Sequence, residues 1–262
     1  MTAFPTATRL RRAALVGALC AGLTVTTAGC GEDPDEGTNG VGKLAAEQIE
    51  RKVRAAMSGA QSVRLSGTVI TGGRSYRLDM RLGADGGTGQ VTSDESTFEL
   101  LRVGEQLYLK ADATFWEHKD AEGEGQGSAA EESGEPDEDA VTAANKLQDK
   151  YVRVPAGDPS YKQLHGFTDK NVLLDGLVGF HGRVEKGAYN KVAGIRTIQL
   201  TADQGNGGRL DVSLAGQPYP LRMERAGGAG VVELADWNLP FPLVAPDKAD
   251  VVDYGRELPG GE

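Results

Sequence analysis

The sequence predicts an α+β domain in which a large, curved antiparallel sheet of about ten strands wraps over an N-terminal helix and short central helices. Apolar residues recur every three to four positions over one long stretch only, residues 41–56. Elsewhere they alternate, and glycine-rich turns separate the alternating runs. The helical stretches also cluster instead of interleaving with the strands, which argues against repeated βαβ units.

Along the chain, the helix comes first. Val41, Leu44, Ala45, Ile49, Val53 and Ala56 mark its apolar face, Glu47, Glu50, Arg51 and Arg54 its polar one, and Ser58-Gly59 ends it. Val63, Leu65, Gly67 and Val69 then alternate with polar residues up to Gly72-Gly73, a turn signal. Tyr76, Leu78, Met80 and Leu82 alternate with Arg77, Asp79 and Arg81, and a glycine-rich turn is expected at 83–89. Strands at 91–93, 98–103 and 106–110 follow, the last two joined across Gly104-Glu105. This is a meander with one polar and one apolar face. The middle reads as a short helix at 142–150, an extended 151–154 stopped by Pro155, and helical stretches at 158–164 and 169–178. A second set of strands is expected at 180–186, 195–202, 209–214, 220–225 and 231–234, with glycines between them.

Ahead of the domain stands an export signal. Arg9, Arg11 and Arg12 precede an apolar run at 13–23, and small residues lead through Thr27-Ala28-Gly29 to Cys30. The run is too short to span a bilayer. Its ending resembles a lipobox, with Thr27 where Leu is usual. Residues 1–29 are therefore expected to leave as a signal peptide, and Cys30 to be acylated, palmitate included, as the first mature residue. Cys20, the other cysteine, departs with the signal, so no intramolecular disulfide is possible. Several acyl chains would hold the protein stably, each buried CH₂ contributing about 0.8 kcal/mol. The expected location is the outer face of the cytoplasmic membrane, lipid-anchored.

Charge is unevenly spread. The whole chain stands at −10, including the three signal arginines, so the remainder stands at −13. Glu32, Asp33, Asp35 and Glu36 fall in an acidic tether at 30–41. Residues 117–140 hold ten acids against one lysine, and 120–139 read as a disordered acidic insert within a single domain spanning 42–256. Outside these segments 24 basic residues balance 24 acidic ones, so nothing suggests a nucleic-acid-binding surface and no nucleic-acid partner is expected. Replacing 120–139 with a short Gly-Ser linker is expected to shift the melting temperature by only a few degrees, because the segment has no apolar face to bury. Loss of the cooperative transition would show that it packs on the domain.

Motifs for chemistry are incomplete. Gly37-Thr-Asn-Gly-Val-Gly42-Lys43 imitates a phosphate-binding loop until Leu44, where Ser or Thr is required, and no strand precedes it. Asp33-Pro-Asp35-Glu-Gly37 opens like a calcium loop, but Leu44 also takes the place of the bidentate Glu. His118, His165 and His181 have no metal-ligand spacing, and no Gly-x-Ser-x-Gly elbow occurs. Trp116 and Trp237 read as core anchors, or as residues lining a mouth or touching glycan. No cofactor, no metal and no enzymatic activity are expected.

Several features, in order, resemble the LolA-like, LppX/LprG-type lipoproteins of actinobacteria: Cys30, the helix ending at Met57-Ser58-Gly59, Ser62-Val-Arg-Leu-Ser-Gly67, Val103-Gly-Glu-Gln-Leu-Tyr-Leu-Lys110 with Trp116, Val192-Ala-Gly-Ile195, and Asp236-Trp237-Asn238 before Val244-Ala-Pro246. The resemblance covers most of 42–254 and implies a half-barrel sheet packed on helices, with acyl chains held in the gap. The acidic insert departs from it, and no motif names a lipid. Candidate lining residues are Leu65, Val69, Tyr76, Leu78, Met80, Leu107, Leu109, Leu173, Leu177 and Phe180, all of which a tightly packed core would use equally well. Two functions follow as expectations: a binding protein for a lipid, glycolipid or other apolar ligand, or an interaction and sensing module with an envelope protein partner.

Overall fold

Helix α1 (Ala46–Gly59) turns Ala46, Ile49, Val53 and Met57 into the core, a stripe at three- and four-residue intervals. It begins at Ala46, not 41. Val41–Lys43 form a 3-10 turn, and Ala45 is an extended cap whose N–H donates to Gln48 Oε1 at 3.1 Å. The structure, a computed structural model, describes residues 33–94, 96–112, 115–116 and 146–253. The signal peptide, Cys30, His118 and the 120–139 insert lie outside the described residues.

A sheet of twelve strands follows. Its first half is β1 (Ser62–Thr71), β2 (Arg74–Gly83), β3 (Gly86–Thr92), β4 (Thr97–Val103), β5 (Gln106–Ala111) and β6 (Tyr151–Val154). Its second half is β7 (Val184–Val192), β8 (Ile195–Ala202), β9 (Arg209–Ser213), β10 (Pro220–Glu224) and β11 (Gly230–Ala235), with β12 (Val251–Asp253) closing the chain. The order β12-β6-β5-β4-β3-β2-β1-β11-β10-β9-β8-β7 joins two meanders through the antiparallel pair β1–β11. Among the described residues every pairing is antiparallel except β12 with β6. The α+β class with a large, open, curved antiparallel sheet is as the sequence predicts; the strand count is higher. Strand β12 has only three residues and follows a proline-rich stretch, so it offers no alternation to read.

The glycine-rich stretch expected as a turn at 83–89 is mostly strand β3. Gly86 and Gly89 sit at φ 151° and 159°. A Cβ on Gly86 would overlap the Arg102 carbonyl oxygen, and one on Gly89 the Asp79 carbonyl oxygen. Glycine is needed there for close approach of neighbouring backbones, not for a reversal. Strand β7 is displaced from 180–186 because it is an edge strand, largely exposed on both faces, and carries no alternation. Among the central helices, α2 (Tyr161–Thr168) starts three residues late. Asp158 Oδ1 accepts from the Ser160 amide at 2.7 Å and from the Ser160 hydroxyl, holding 158–160 as a turn. Helix α3 (Lys170–Leu177) is capped by Asp169 Oδ1, which accepts from the amides of Asn171 and Val172 at 2.9 and 3.0 Å.

The segment expected as a tether is partly folded. Residues from Pro34 onward belong to the same compact unit as the sheet. The Tyr189 hydroxyl donates to Asp35 Oδ2 at 2.6 Å, Lys186 Nζ to the Gly42 carbonyl at 2.8 Å, and Arg196 Nη2 to the Glu36 carbonyl at 2.9 Å. Asn39 N–H donates to the Leu214 carbonyl at 2.9 Å, and its side-chain amide to Ser213 and Gly216 carbonyls at 3.0 and 3.1 Å. These bonds satisfy a polar stretch that composition alone reads as solvated.

Two buried cations hold the helices. Arg102 on β4 is 6% exposed. Its Nε donates to Thr168 Oγ1 at 3.1 Å, Nη2 to the Thr168 carbonyl at 3.0 Å and Nη1 to the Gly104 carbonyl at 2.9 Å, which pins the α2–α3 junction to the sheet. Lys170 Nζ donates to the Met57 carbonyl at the end of α1 at 3.2 Å and to Asn171 Oδ1 at 2.8 Å. Burial pulls the Lys170 pKa below the ordinary lysine value, against the opposing pull of Asp169 and Asp175. In the window between the folded and unfolded values the unfolded chain holds more protons, so stability rises with pH there. Relative to Lys170→Met, the natural protein is expected to gain stability from neutral pH towards the ordinary lysine range, measured by urea melts; an unchanged difference would show an unperturbed ammonium.

Candidate ligand cavity

Antiparallel register arranges the inner face of β1–β6 into rows. Leu82, Gly87, Arg102, Leu107 and Val154 form one row, and Leu65, Met80, Gly89, Leu100, Leu109 and Val152 the next. Gly67, Leu78, Val91, Phe98 and Ala111 form a third, and Val69 and Tyr76 a fourth. The first row is solid, and in the second only Leu109 borders open space. Leu65, Met80, Leu82, Leu100 and Leu107 are 0% exposed and fill the space around the Arg102 pin.

Towards the other ends of the strands the sheet and the helices separate, leaving a cavity of about 610 Å³. Its floor is Leu78, Val91 and Leu109 from the sheet, with Leu164, Leu173 and Leu177 from α2 and α3. Half-buried Tyr76, Phe98, Phe115 and Phe167 make its walls, with Val69 above the floor. The rings of Phe98 and Phe115 lie 5.4 Å apart, and Phe115 meets buried Trp116 edge-on at 5.1 Å. Thr71, Arg74, Ser93 and Ser96 supply polar groups at the β1–β2 and β3–β4 turns, and Ser160 and Gln163 at the start of α2.

Of the candidate residues, Val69, Tyr76, Leu78, Leu109, Leu173 and Leu177 line this cavity. Leu65, Met80 and Leu107 do not: they share the inner face but are 0% exposed within the packed core, away from the cavity. Phe180 is half-buried against the core outside the cavity. Val91, Phe98, Phe115, Leu164 and Phe167 are lining residues that the sequence reading left out, although the alternation of β3 and β4 carried the signal for the first two. The volume lies inside the roughly 300–1,000 Å³ of small-molecule pockets, and an apolar lining with a polar mouth suits an amphiphile whose chain is buried and whose head is wet.

Other candidates lead elsewhere. The Asp35 carboxylate lies against Gly42, where a phosphate would sit in a nucleotide-binding loop. The His165 ring lies tilted against Tyr161 at 5.6 Å, and the His181 amide donates to the Gly207 carbonyl at 3.0 Å. Among the described residues, no group of three or more His, Cys, Asp or Glu side chains is placed to hold a metal ion, and no helix is long and apolar enough to cross a membrane. Trp237 is half-buried, stacked on Tyr219 at 4.6 Å and at the opposite end of the strands from the cavity.

No protein-family model matches the chain, and none of the curated proteins compared with it matches. Among solved structures it is similar to the lipoprotein LppX of Mycobacterium tuberculosis, at 14% identity over 75% of this chain and 97% of that one, with a TM-score of 0.39. It is also similar to an uncharacterized conserved protein of Thermus thermophilus, at 11% identity over 79% and 98% of the two chains, with a TM-score of 0.35. A DUF1329 family protein of Desulfovibrio piger aligns at 8% identity over 75% and 95%, with a TM-score of 0.24.

Proposed function

We propose that this protein is a membrane-anchored binding protein of the cell envelope, outside the cytoplasm, that holds a lipid, glycolipid or other apolar molecule for carriage or transfer. The supporting observation is the 610 Å³ cavity with its apolar floor, aromatic walls and polar mouth. An apolar cavity of this size is poorly filled by water, whose share of liquid volume is about 30 Å³ per molecule, and it favours an apolar guest. Binding needs no bond making. The cavity holds a ligand by burying its chain, at roughly 25 cal/mol per Å² of apolar surface removed from water.

Native mass spectrometry of protein purified from its own host tests this reading. A bound apolar molecule that extracts into organic solvent is expected. Protein that carries none, and takes up none from detergent-solubilised lipid, would remove the carrier reading and leave the interaction module.

The anchor is tested separately. Cys30→Ala is expected to move the protein from the membrane to the medium, or to leave an unprocessed precursor, as followed by fractionation and mass. A variant that stays on the membrane at mature mass would place the anchor elsewhere.

A further inference from the structure

The cavity occupies only one half of the sheet's inner face. No described residue of β7–β11 lines it. The inner face of that half is closed, with Ile198, Leu200 and Met223 fully buried. Helix α1 packs against β7, whereas α2 packs against β3 and β4. Open space therefore remains only between the first meander and the α2–α3 pair.

Strand register measures the depth of this space. Leu109 lies in its deepest lined row, Leu78 and Val91 in the next, and Val69 with Tyr76 in the one above. Thr71, paired with Arg74, stands at the mouth. Along β1 the row of Leu109 begins at Leu65, and the rise from Leu65 to Thr71 is about 20 Å at about 3.3 Å per residue. One leaflet of a bilayer is about 15 Å deep in hydrocarbon, so the cavity accepts the whole length of a membrane-lipid chain.

Volume sets how many chains fit. A methylene group takes about as much room as a water molecule, about 30 Å³, so 610 Å³ admits about twenty of them. That is one long chain. Two chains of leaflet length need about twice the volume. The walls resist widening. Phe98 and Phe115 are backed by buried Trp116 on one side, and Arg102 ties the α2–α3 junction to the sheet on the other. The described mouth residues bring hydroxyls, the Gln163 amide and the Arg74 guanidinium, with no carboxylate, which suits a wet head that is polar or anionic.

We infer that the ligand is a single-chain amphiphile, a fatty acid or monoacylated lipid with about sixteen to twenty chain carbons. One molecule binds per protein, its chain end at Leu109 and its head at the Thr71–Arg74 mouth. The inference rests on the carrier reading and narrows it, because a cavity one chain wide leaves a second chain in water.

The test uses the full chain carrying Cys30→Ala, so that no anchor chain competes, stripped of ligand on a hydrophobic resin. Native mass spectrometry with detergent-solubilised lipid is expected to show one molecule of hexadecanoate, or of monohexadecanoyl phosphatidylglycerol, per protein. Occupancy by dihexadecanoyl phosphatidylglycerol should be lower by about tenfold or more. The mass of the ligand carried by protein from its own host distinguishes a fatty acid from a monoacylated lipid. In displacement titrations with saturated fatty acids from octanoate to docosanoate, affinity should rise about fourfold per methylene. The rise should level off at about sixteen to twenty carbons, where the cavity is full. Two molecules of hexadecanoate per protein, or equal occupancy by the two-chain lipid, would overturn the single-chain inference and leave the carrier reading standing. Protein that takes up neither class, while a cooperative melt shows it folded, would overturn the carrier reading and the inference with it.

Discussion

Protein carrying Leu78→Trp and Leu109→Trp together is expected to lose its bound apolar ligand, with occupancy falling about tenfold or more, since about 1.4 kcal/mol of lost binding is enough for that. Both residues lie on the cavity floor, in adjacent rows of the inner face. Leu78 and Leu109 are 2% and 0% exposed but border the cavity, so an indole at either position grows towards its open volume and gains contacts there. Stability should therefore change little. Leu65→Trp is the control: Leu65 sits on the same face at 0% exposure and, unlike Leu109 in the same row, does not border the cavity. Overpacking there is expected to cost about 1–3 kcal/mol and to leave binding intact in the molecules that fold. Ligand retained by the double variant, or equal destabilisation at all three positions, would show that the space between sheet and helices is not where ligand binds.

Arg102→Ala is expected to lower stability by about 3 kcal/mol, because it strips a buried, charge-assisted set of bonds from its acceptors. The Thr168 and Gly104 carbonyls lose their donors, and Asp169, 4.0 Å from the guanidinium, loses its nearby charge. At about 2–4 °C per kcal/mol for a domain of this size, the melting temperature should fall by roughly 6–12 °C. Thr168→Val removes only one of the acceptors and should cost about 1 kcal/mol. Arg102→Lys keeps a charge but not the fork that spans two residues, and should recover only part of the loss. The effect on the site follows from position, since Arg102 holds the α2–α3 junction beneath the cavity. A melting temperature unchanged by Arg102→Ala would mean that the junction is held by apolar packing alone.

Much of this architecture was legible in the residues. The period-two runs of Val63–Val69 and Tyr76–Leu82 became β1 and β2 with their apolar residues on one face, because alternation in a half-buried strand is enforced at every residue. Glycine was read in the wrong sense at 86–89. A turn and a close backbone contact ask for the same residue, and only the neighbouring strand distinguishes them. The helix stripe was placed correctly from Ile49 to Val53, but its start was not. Gln48 accepting from the Ala45 amide starts the helix at a position that apolar spacing does not mark.

Patterns a few residues long are enough to set the fold class, the inner face of each strand and the residues able to meet an apolar guest. The tertiary structure alone decided which of those residues surround empty space. Leu65, Leu78, Met80, Leu107 and Leu109 are equivalent in chemistry and parity, yet Leu78 and Leu109 line a cavity and the others lie in solid core. The difference is set by where α2 and α3 stand over the sheet, and Arg102 reaching Thr168 across 66 residues of chain ties their junction to it. The docking of residues 35–43 was hidden for the same reason. Asp35 and Asn39 look solvated in a polar stretch, and their partners, Tyr189 and the carbonyls after β9, are about 150–180 residues away, where only folding brings them into hydrogen-bond range.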